Sequence, residues 1–425
     1  MALGLRRGSP PAVDGRRWVI GLAASSDCRR LAAAVVAATG RGLNLRAEVG
    51  RMVSLETPPE TAAQFGQLSG PGFGDDSGPA TLVARFRAQL ADLQAALVAD
   101  LLSEAAIAPQ RILALGVHDP GVWGSGGGYL GLCDAARLAE ITGQNVIDAF
   151  PARDVACGGQ GGPVTALAEW ILLRHPTRHR LLLDLGRTIR ISYLPARDGA
   201  KGAAEVLSFE VGPGTRMLDQ LAARLTGGEQ GFDPGGHLAV QGRSIAELIE
   251  HWLHDPYFKR PLPRWQPRGV RPERFLLDAM QMAVDSGWSV RDLLCSATHF
   301  IAEQIARAVR RCLPGPSRVD EAILCGGGQQ NGLLLREISA RLPDLPMVRI
   351  TDTDVTSEVL GPAAAGVLAL LCLDQVPANA PRITGTEVAR VLGRLTPGSP
   401  QSWQRLLHQL AGTAPAAVRP LRSAL

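Results

Sequence analysis

The chain has 425 residues, long for one hydrophobic core, so two lobes are the natural expectation. Apolar residues make up 46% and charged residues 20%, and a formal charge of +4 spread along the chain gives nucleic-acid binding little support. No stretch reaches the roughly 18 uninterrupted apolar residues of a membrane span, the N-terminus lacks a signal-peptide core, and the seven scattered cysteines read as reduced thiols of a cytoplasmic protein.

Residues 1–17 are expected to form a flexible arm. Residues 18–23 make a short apolar strand that opens into small polar residues at 24–30. Gly21, Ser25 and Ser26 stand where many nucleotide-binding folds set a first phosphate loop, though no glycine follows Gly21 until Gly40. A second strand is expected over 43–49, and residues 71–79 are a loop by composition. Leu82, Val83, Phe86, Leu90, Leu93, Leu97 and Leu101 recur at helical spacing. Residues 111–117 form the next strand. Beyond its C-terminal end lies a polar, glycine-rich loop, 118–128, with His118 and Trp123, where open α/β sheets bind ligands. Asp134 is expected to cap a short helix, and residues 145–148 form another strand.

The densest chemical signal follows at 151–163, P-A-R-D-V-A-C-G-G-Q-G-G-P. Glycine lets backbone approach a ligand closely. The cluster stands before a helix expected over 163–173, whose first N–H groups would face a ligand, with Asp154 beside them as a base or metal partner. The plain alternative is a mobile surface loop.

In the second half, strands at 180–185 and 188–193 are joined by Gly186 and Arg187, a hairpin signal. A strand at 206–211 leads to Gly212-Pro-Gly214 and a helix through Met217 and Leu218. Residues 227–272, rich in Gly, Pro and Arg, read as a lobe-crossing segment or lid. A long helix spans 290–311. A strand at 322–325 ends in Gly326-Gly327-Gly328, and Asn331 begins a helix. Residues 347–350 are the last clear strand and 362–373 the last core helix. Strand, glycine turn and helix thus recur, which predicts two α/β lobes, 18–179 and 180–410, around a central cleft, with a loose tail at 411–425.

Each candidate has a structural alternative. Gly326–Gly328 serves a nucleotide or is a tight turn, with Asn331 as ligand contact or helix cap. His118 orients a sugar or phosphate, or is a hydrogen-bonded loop histidine. Asp219 is a first-turn helix acid or a ligand contact. His175 with His179, and His251 with His254, lack a third ligand for zinc. Cys157 as a nucleophile needs a histidine that spacing does not supply, so it reads as a small residue beside glycine turns.

With these turns placed, the chain resembles the anhydro-N-acetylmuramic acid kinases from about residue 18 to 385. The most specific part is 153–163, R-D-V-A-C-G-G-Q-G-G-P, close to that family's R-D-x-A-x-G-G-Q-G-A-P. The resemblance implies two ribonuclease-H-like lobes of the actin-like ATPase and sugar-kinase fold. It implies Asp154 as the base that activates water to open a 1,6-anhydro ring while ATP phosphorylates O6, with Mg2+ bound through the nucleotide. Arg153 and Gln160 of that motif fall at the substrate. Gly212, Gly214 and Asp219 match D-T-G-P-G-N-x-x-x-D, and 255–258 match D-P-Y-F. Residues 325–331, with Gly326, Gly327, Gly328 and Asn331, match the adenosine turn C-G-G-G-x-x-N. His118 and Trp123 match two positions of C-H-G-Q-T-V-W-H.

The departures cluster at the phosphate loops. The family's M-S-G-T-S-x-D-G-x-D is here 23–32, A-A-S-S-D-C-R-R-L-A, and its N-I-G-G-I-A-N is 184–190, D-L-G-R-T-I-R. Glu210 replaces an aspartate, with Val211 and Thr215 beside it. Residues 264–269, R-W-Q-P-R-G, replace K-S-T-G-R-E, Pro362 replaces a glutamate, and Gly124 replaces a histidine. Lost glycine turns remove N–H donors for phosphates, while Arg29, Arg187 and Arg190 offer guanidinium groups instead. Three expectations follow: an ATP-dependent anhydro-sugar kinase of cell-wall recycling, a non-catalytic relative that binds a muropeptide-derived sugar or a partner protein, or a hydrolase that uses Asp154 without ATP. The first leaves room for a homodimer.

Overall fold

A computed structural model of the chain describes residues 15–69, 79–123, 128–196, 199–266, 269–313, 319–353 and 355–411. Most of the expected arm, the loop at 71–78, Gly124 and the tail from 412 lie outside the described residues. The chain opens with β1 (Arg17–Ala24), β2 (Arg30–Thr39) and β3 (Arg46–Glu56), then α1 (Pro59–Ser69) and α2 (Pro79–Glu104). β4 (Ile112–His118) is followed by a small hairpin of β5 (Gly121–Trp123) and β6 (Tyr129–Gly131). α3 (Ala135–Thr142), β7 (Val146–Asp148), α4 (Phe150–Ala156) and α5 (Ala166–Leu173) complete this half. Asp134 caps α3 by accepting the Arg137 N–H, as its sequence position predicts.

The second half runs β8 (Arg180–Leu185), β9 (Thr188–Leu194), α6 (Gly199–Glu205), β10 (Leu207–Pro213) and α7 (Thr215–Leu225). It continues with α8 (Ala246–Leu253), α9 (Glu273–Ser286), α10 (Val290–Cys312), β11 (Glu321–Cys325), α11 (Gly332–Arg341) and β12 (Met347–Arg349). α12 (Ser357–Leu373), α13 (Pro381–Thr384), β13 (Arg394–Thr396) and α14 (Pro400–Ala411) close the described chain.

The two sheets share one plan. In the first, β3-β2-β1 is an antiparallel meander, and β4 and β7 add parallel to β1. In the second, β10-β9-β8 is the meander, and β11 and β12 add parallel to β8. Two α/β lobes of the ribonuclease-H-like kind result. Among the described residues no helix is long and apolar enough to cross a membrane.

Two expectations need correction here. The sequence reading names no strand at 30–39, an alanine-rich run whose local propensity is for helix. Burial reverses that preference: Ala34, Val36 and Ala38 enter one core while Leu31, Ala33 and Val35 enter another. The sequence reading also assigns 180–410 to the second lobe, yet α12 packs on β1, β2 and β4, and β13 pairs with β7. The chain therefore returns to the first sheet after β12.

That return explains Gly21. Gly21 and Gly116 are register partners on β1 and β4, and α12 lies directly over them. A Cβ on Gly21 would overlap the Pro362 carbonyl oxygen, and one on Gly116 the Ala365 carbonyl oxygen. Gly21 is thus a packing residue under a helix rather than a phosphate contact, which corrects its expected role.

Candidate active site

Asp154 rides on α4, not on a loop, so the first half of the glycine stretch is helical. Its side chain is fully buried. A buried carboxylate needs partners, and three donors supply them. The Gly161 N–H reaches Oδ2 at 2.7 Å, while Asn379 Nδ2 and Thr384 Oγ1 reach Oδ1 at 2.7 and 2.6 Å. A carboxylate has about four lone-pair sites, so one acceptor position is left over. Sequence reasoning missed Asn379 and Thr384. The faint signal for them is the turn composition around 377–385, which carries no mark of a partner so far upstream.

Gln160 clamps this turn to the second lobe. Its Nε2 donates to the Pro263 carbonyl at 2.7 Å, and its Oε1 accepts the Trp265 N–H at 2.8 Å. Trp123 stands 4.8 Å from Trp265, ring centre to ring centre, and 4.6 Å from Tyr129. Asp154, Gln160 and Trp123 are therefore brought together, with Trp265 as an addition. Arg153 is exposed on α4, away from this buried group. His118 ends β4, and burial holds its imidazole below the ordinary histidine value, with Glu169 and Arg190 acting in opposite directions on its charge.

A second cluster gathers the glycine turns. The Gly186 and Arg187 carbonyls accept the Thr215 and Gly214 N–H groups at 2.9 and 3.0 Å. These two N–H groups at the head of α7, which could have faced phosphate, are engaged by protein instead. Gly212, Gly214, Gly326 and Gly328 all permit close turn packing: added Cβ atoms would run into Gln304, the Gly186 carbonyl, Asp184 and the Leu185 carbonyl respectively. Asn331 caps α11 through the Leu334 N–H. Gly327 alone of the three consecutive glycines has open space where a Cβ would stand. Gly327→Val should keep its unfolding free energy in urea within roughly 0.5 kcal/mol of the parent and weaken nucleotide binding at least tenfold. Unchanged affinity would place the nucleotide elsewhere.

The rewritten loops meet across the cleft. Arg187 Nη1 lies 2.9 Å from Asp27 Oδ2, joining the β8–β9 turn to the β1–β2 turn. Burial pushes Asp27 up, but the Ser25 hydroxyl, the Arg29 N–H and the Arg187 charge outweigh it and hold the carboxyl below its ordinary value. Ser25 Oγ also accepts the Arg29 and Arg30 N–H groups, so it serves its own turn, and Ser26 is exposed. Asp219 on α7 accepts no hydrogen bond from the described residues. Burial raises it to about 6, against the pull of Arg187.

Behind these turns lies a charged rung. Asp184, Arg190 and Glu210 are register partners on β8, β9 and β10. Arg190 reaches Glu169 at 2.7 Å, Ser192 Oγ at 2.9 Å and Asp184 at 3.4 Å. The family pattern has asparagine at this position, and the guanidinium is matched here by Glu169, a partner the sequence reading did not single out. Burial pushes Glu210 up to about 8, opposed by the Gln266 N–H and the nearby arginines. The folded protein thus holds a proton that the unfolded chain releases above its ordinary value of 4.5. That contribution to stability is fully present below about pH 4.5 and lost as pH rises through about 8. Glu210→Gln should flatten the fall in urea stability across this window by a few kcal/mol, about 1.4 per unit. An unchanged slope would mean the carboxyl reaches water.

Two ribonuclease-H-like lobes, with a carboxylate beside a glycine turn and paired hairpin turns across a cleft, define a two-lobed protein of the sugar-kinase type. The family model described as anhydro-N-acetylmuramic acid kinase matches residues 76–398, well over half of the chain. The chain belongs to the anhydro-N-acetylmuramic acid kinase family. The enzyme of that name from Acaryochloris marina is 30% identical over 383 residues, covering 89% of this chain and 99% of its own. That from Nitrosomonas europaea is 31% identical over 314 residues, covering 73% and 82%. A ROK family glucokinase from Streptomyces griseus, solved with glucose and AMPPNP, covers 83% of this chain at 13% identity and a TM-score of 0.38, a likeness too distant to bear on ligands.

Proposed function

We propose that this protein is an ATP-dependent kinase for 1,6-anhydro-N-acetylmuramic acid, acting in the cytoplasm on cell-wall sugar. The observation that carries the reading is Asp154, buried and oriented by three donors with one acceptor position to spare. That position would hold the water that attacks the anhydro carbon, and the carboxylate would take its proton. Gln160 and Trp123 would line the sugar beside it. The open Gly327 turn would meet the adenosine.

Mg2+ bound through a nucleotide needs only one or two protein carboxylates, the phosphates and water supplying the rest. Asp219 fits that need, a carboxylate without a hydrogen-bond donor beside the Arg187 turn. Bound there, Mg2+ would neutralise charge on the transferred phosphoryl group. The Arg187–Asp27 pair would have to open for a triphosphate to pass between the two turns.

That pair and the engaged N–H groups of α7 favour a second reading, a relative that binds the sugar without turnover. Purified protein incubated with MgATP and the anhydro sugar decides between them. ADP and a 6-phosphosugar are the expected products. Sugar binding without ADP release would select the second reading.

A further inference from the structure

Trp265 is the residue that the reading above leaves without a task. It falls in the segment 264–269, where the family pattern K-S-T-G-R-E is replaced by R-W-Q-P-R-G. A small polar residue has thus become the largest side chain available. Its placement is not loose. The backbone N–H of Trp265 is held by Gln160 Oε1 at 2.8 Å, and the carbonyl two residues earlier, Pro263, by Gln160 Nε2 at 2.7 Å. One side chain of the glycine turn therefore fixes the second-lobe segment at two points.

The indole then lies against the turn itself. A Cβ on Gly162 would overlap the Trp265 ring, and a Cβ on Gly161 would overlap the Trp123 ring. Gly161 is also the residue whose N–H holds Asp154 Oδ2. The two indoles, one from each lobe, thus cover adjacent residues of the turn that hides the carboxylate. They meet edge to face at 65°, Tyr129 supports Trp123 from another side, and both tryptophans keep part of their surface in water. An aromatic pair that is partly exposed and joined at an edge can part for a ligand without disturbing a packed core.

We propose that Trp265 is a specificity-determining contact for the sugar, packing its indole face on the ring carbons opposite Trp123. This rests on the sugar assignment above. A 1,6-anhydro sugar is bicyclic, with C1 and C6 joined through one oxygen where the opened sugar has two hydroxyls. It presents more C–H surface and fewer hydroxyls than the opened sugar, and an indole face rewards that difference through burial of apolar area. A serine or threonine in the same place would instead favour the hydroxyls. Trp265 therefore selects the anhydro form over the hydrolysed sugar.

The test measures binding of 1,6-anhydro-N-acetylmuramic acid and of N-acetylmuramic acid by calorimetry, without nucleotide, to the full chain and to Trp265→Ser and Trp265→Phe. The parent should prefer the anhydro sugar. Trp265→Ser should weaken that sugar at least tenfold and lose most of the preference, while Trp265→Phe stays within threefold. In turnover the serine variant should raise KM with kcat little changed, and the sugar-induced change in tryptophan emission should shrink. Anhydro-sugar affinity in Trp265→Ser within twofold of the parent would overturn the proposal, as would equal losses in the Ser and Phe variants. If the serine variant does not fold, the phenylalanine variant and the parent's emission change still decide it: loss in Phe, or no emission change, overturns it. Failure of the parent to bind either sugar is a different result, because it removes the sugar assignment itself.

Discussion

Asp154→Asn should lower opening of the anhydro ring by at least about 100-fold, since general-base catalysis of this kind is typically worth 10²–10⁴. Sugar affinity should stay within a few-fold, because the shape of the side chain is nearly kept. The same substitution should also cost stability. Oδ1 faces Asn379 Nδ2 and Thr384 Oγ1, and Oδ2 faces the Gly161 N–H. Whichever oxygen becomes an amide nitrogen then points a donor at a donor, at a cost of about 1–3 kcal/mol in a buried site. Product assays and urea denaturation on the same preparation separate the two effects. Full turnover in a folded Asp154→Asn protein would remove Asp154 from the chemistry.

Gly21→Val should produce the largest loss of stability, at least about 3 kcal/mol. The obstruction is backbone, the Pro362 carbonyl, which cannot rotate aside as a side chain would. Relief would require α12 to lift off β1 and β4, the two strands at the centre of the first sheet. Gly327→Val is the natural control, since it adds the same side chain to another glycine of the supposed nucleotide loops where space is open. A parent-like urea midpoint for Gly21→Val would show that the helix does not sit against this strand.

Much of the architecture was legible because its signals are local. The leucine spacing in α2, the Gly186-Arg187 hairpin, the Asp134 cap and the strand-to-glycine steps at β10 and β11 need only neighbouring residues to be understood. The R-D-V-A-C-G-G-Q-G-G-P stretch was legible for the same reason. So much glycine beside an acid has few structural uses. Gly21 misled because the motif position that marks a phosphate loop also suits a strand crossed by a helix. The residue type is the same and the neighbour differs.

The sequence by itself determined that there are two α/β halves, which stretch holds the acid, and that the two turns matching the family's phosphate-loop patterns are altered. It could do so because periodicity, turn chemistry and motif spacing are written along the chain. The tertiary structure alone decided what those residues meet. Asn379 reaches Asp154 across 225 positions, and Thr384 across 230. Arg187 finds Asp27 across 160 positions, rather than pairing within its own hairpin as Arg190 does with Asp184. An alanine-rich segment becomes a buried strand because two cores cover its two faces. The physical reason is common to all of these. A buried charge or a strand face is satisfied by whatever the folded path brings within a few ångströms, and that path depends on the packing of the whole chain rather than on the residues beside it.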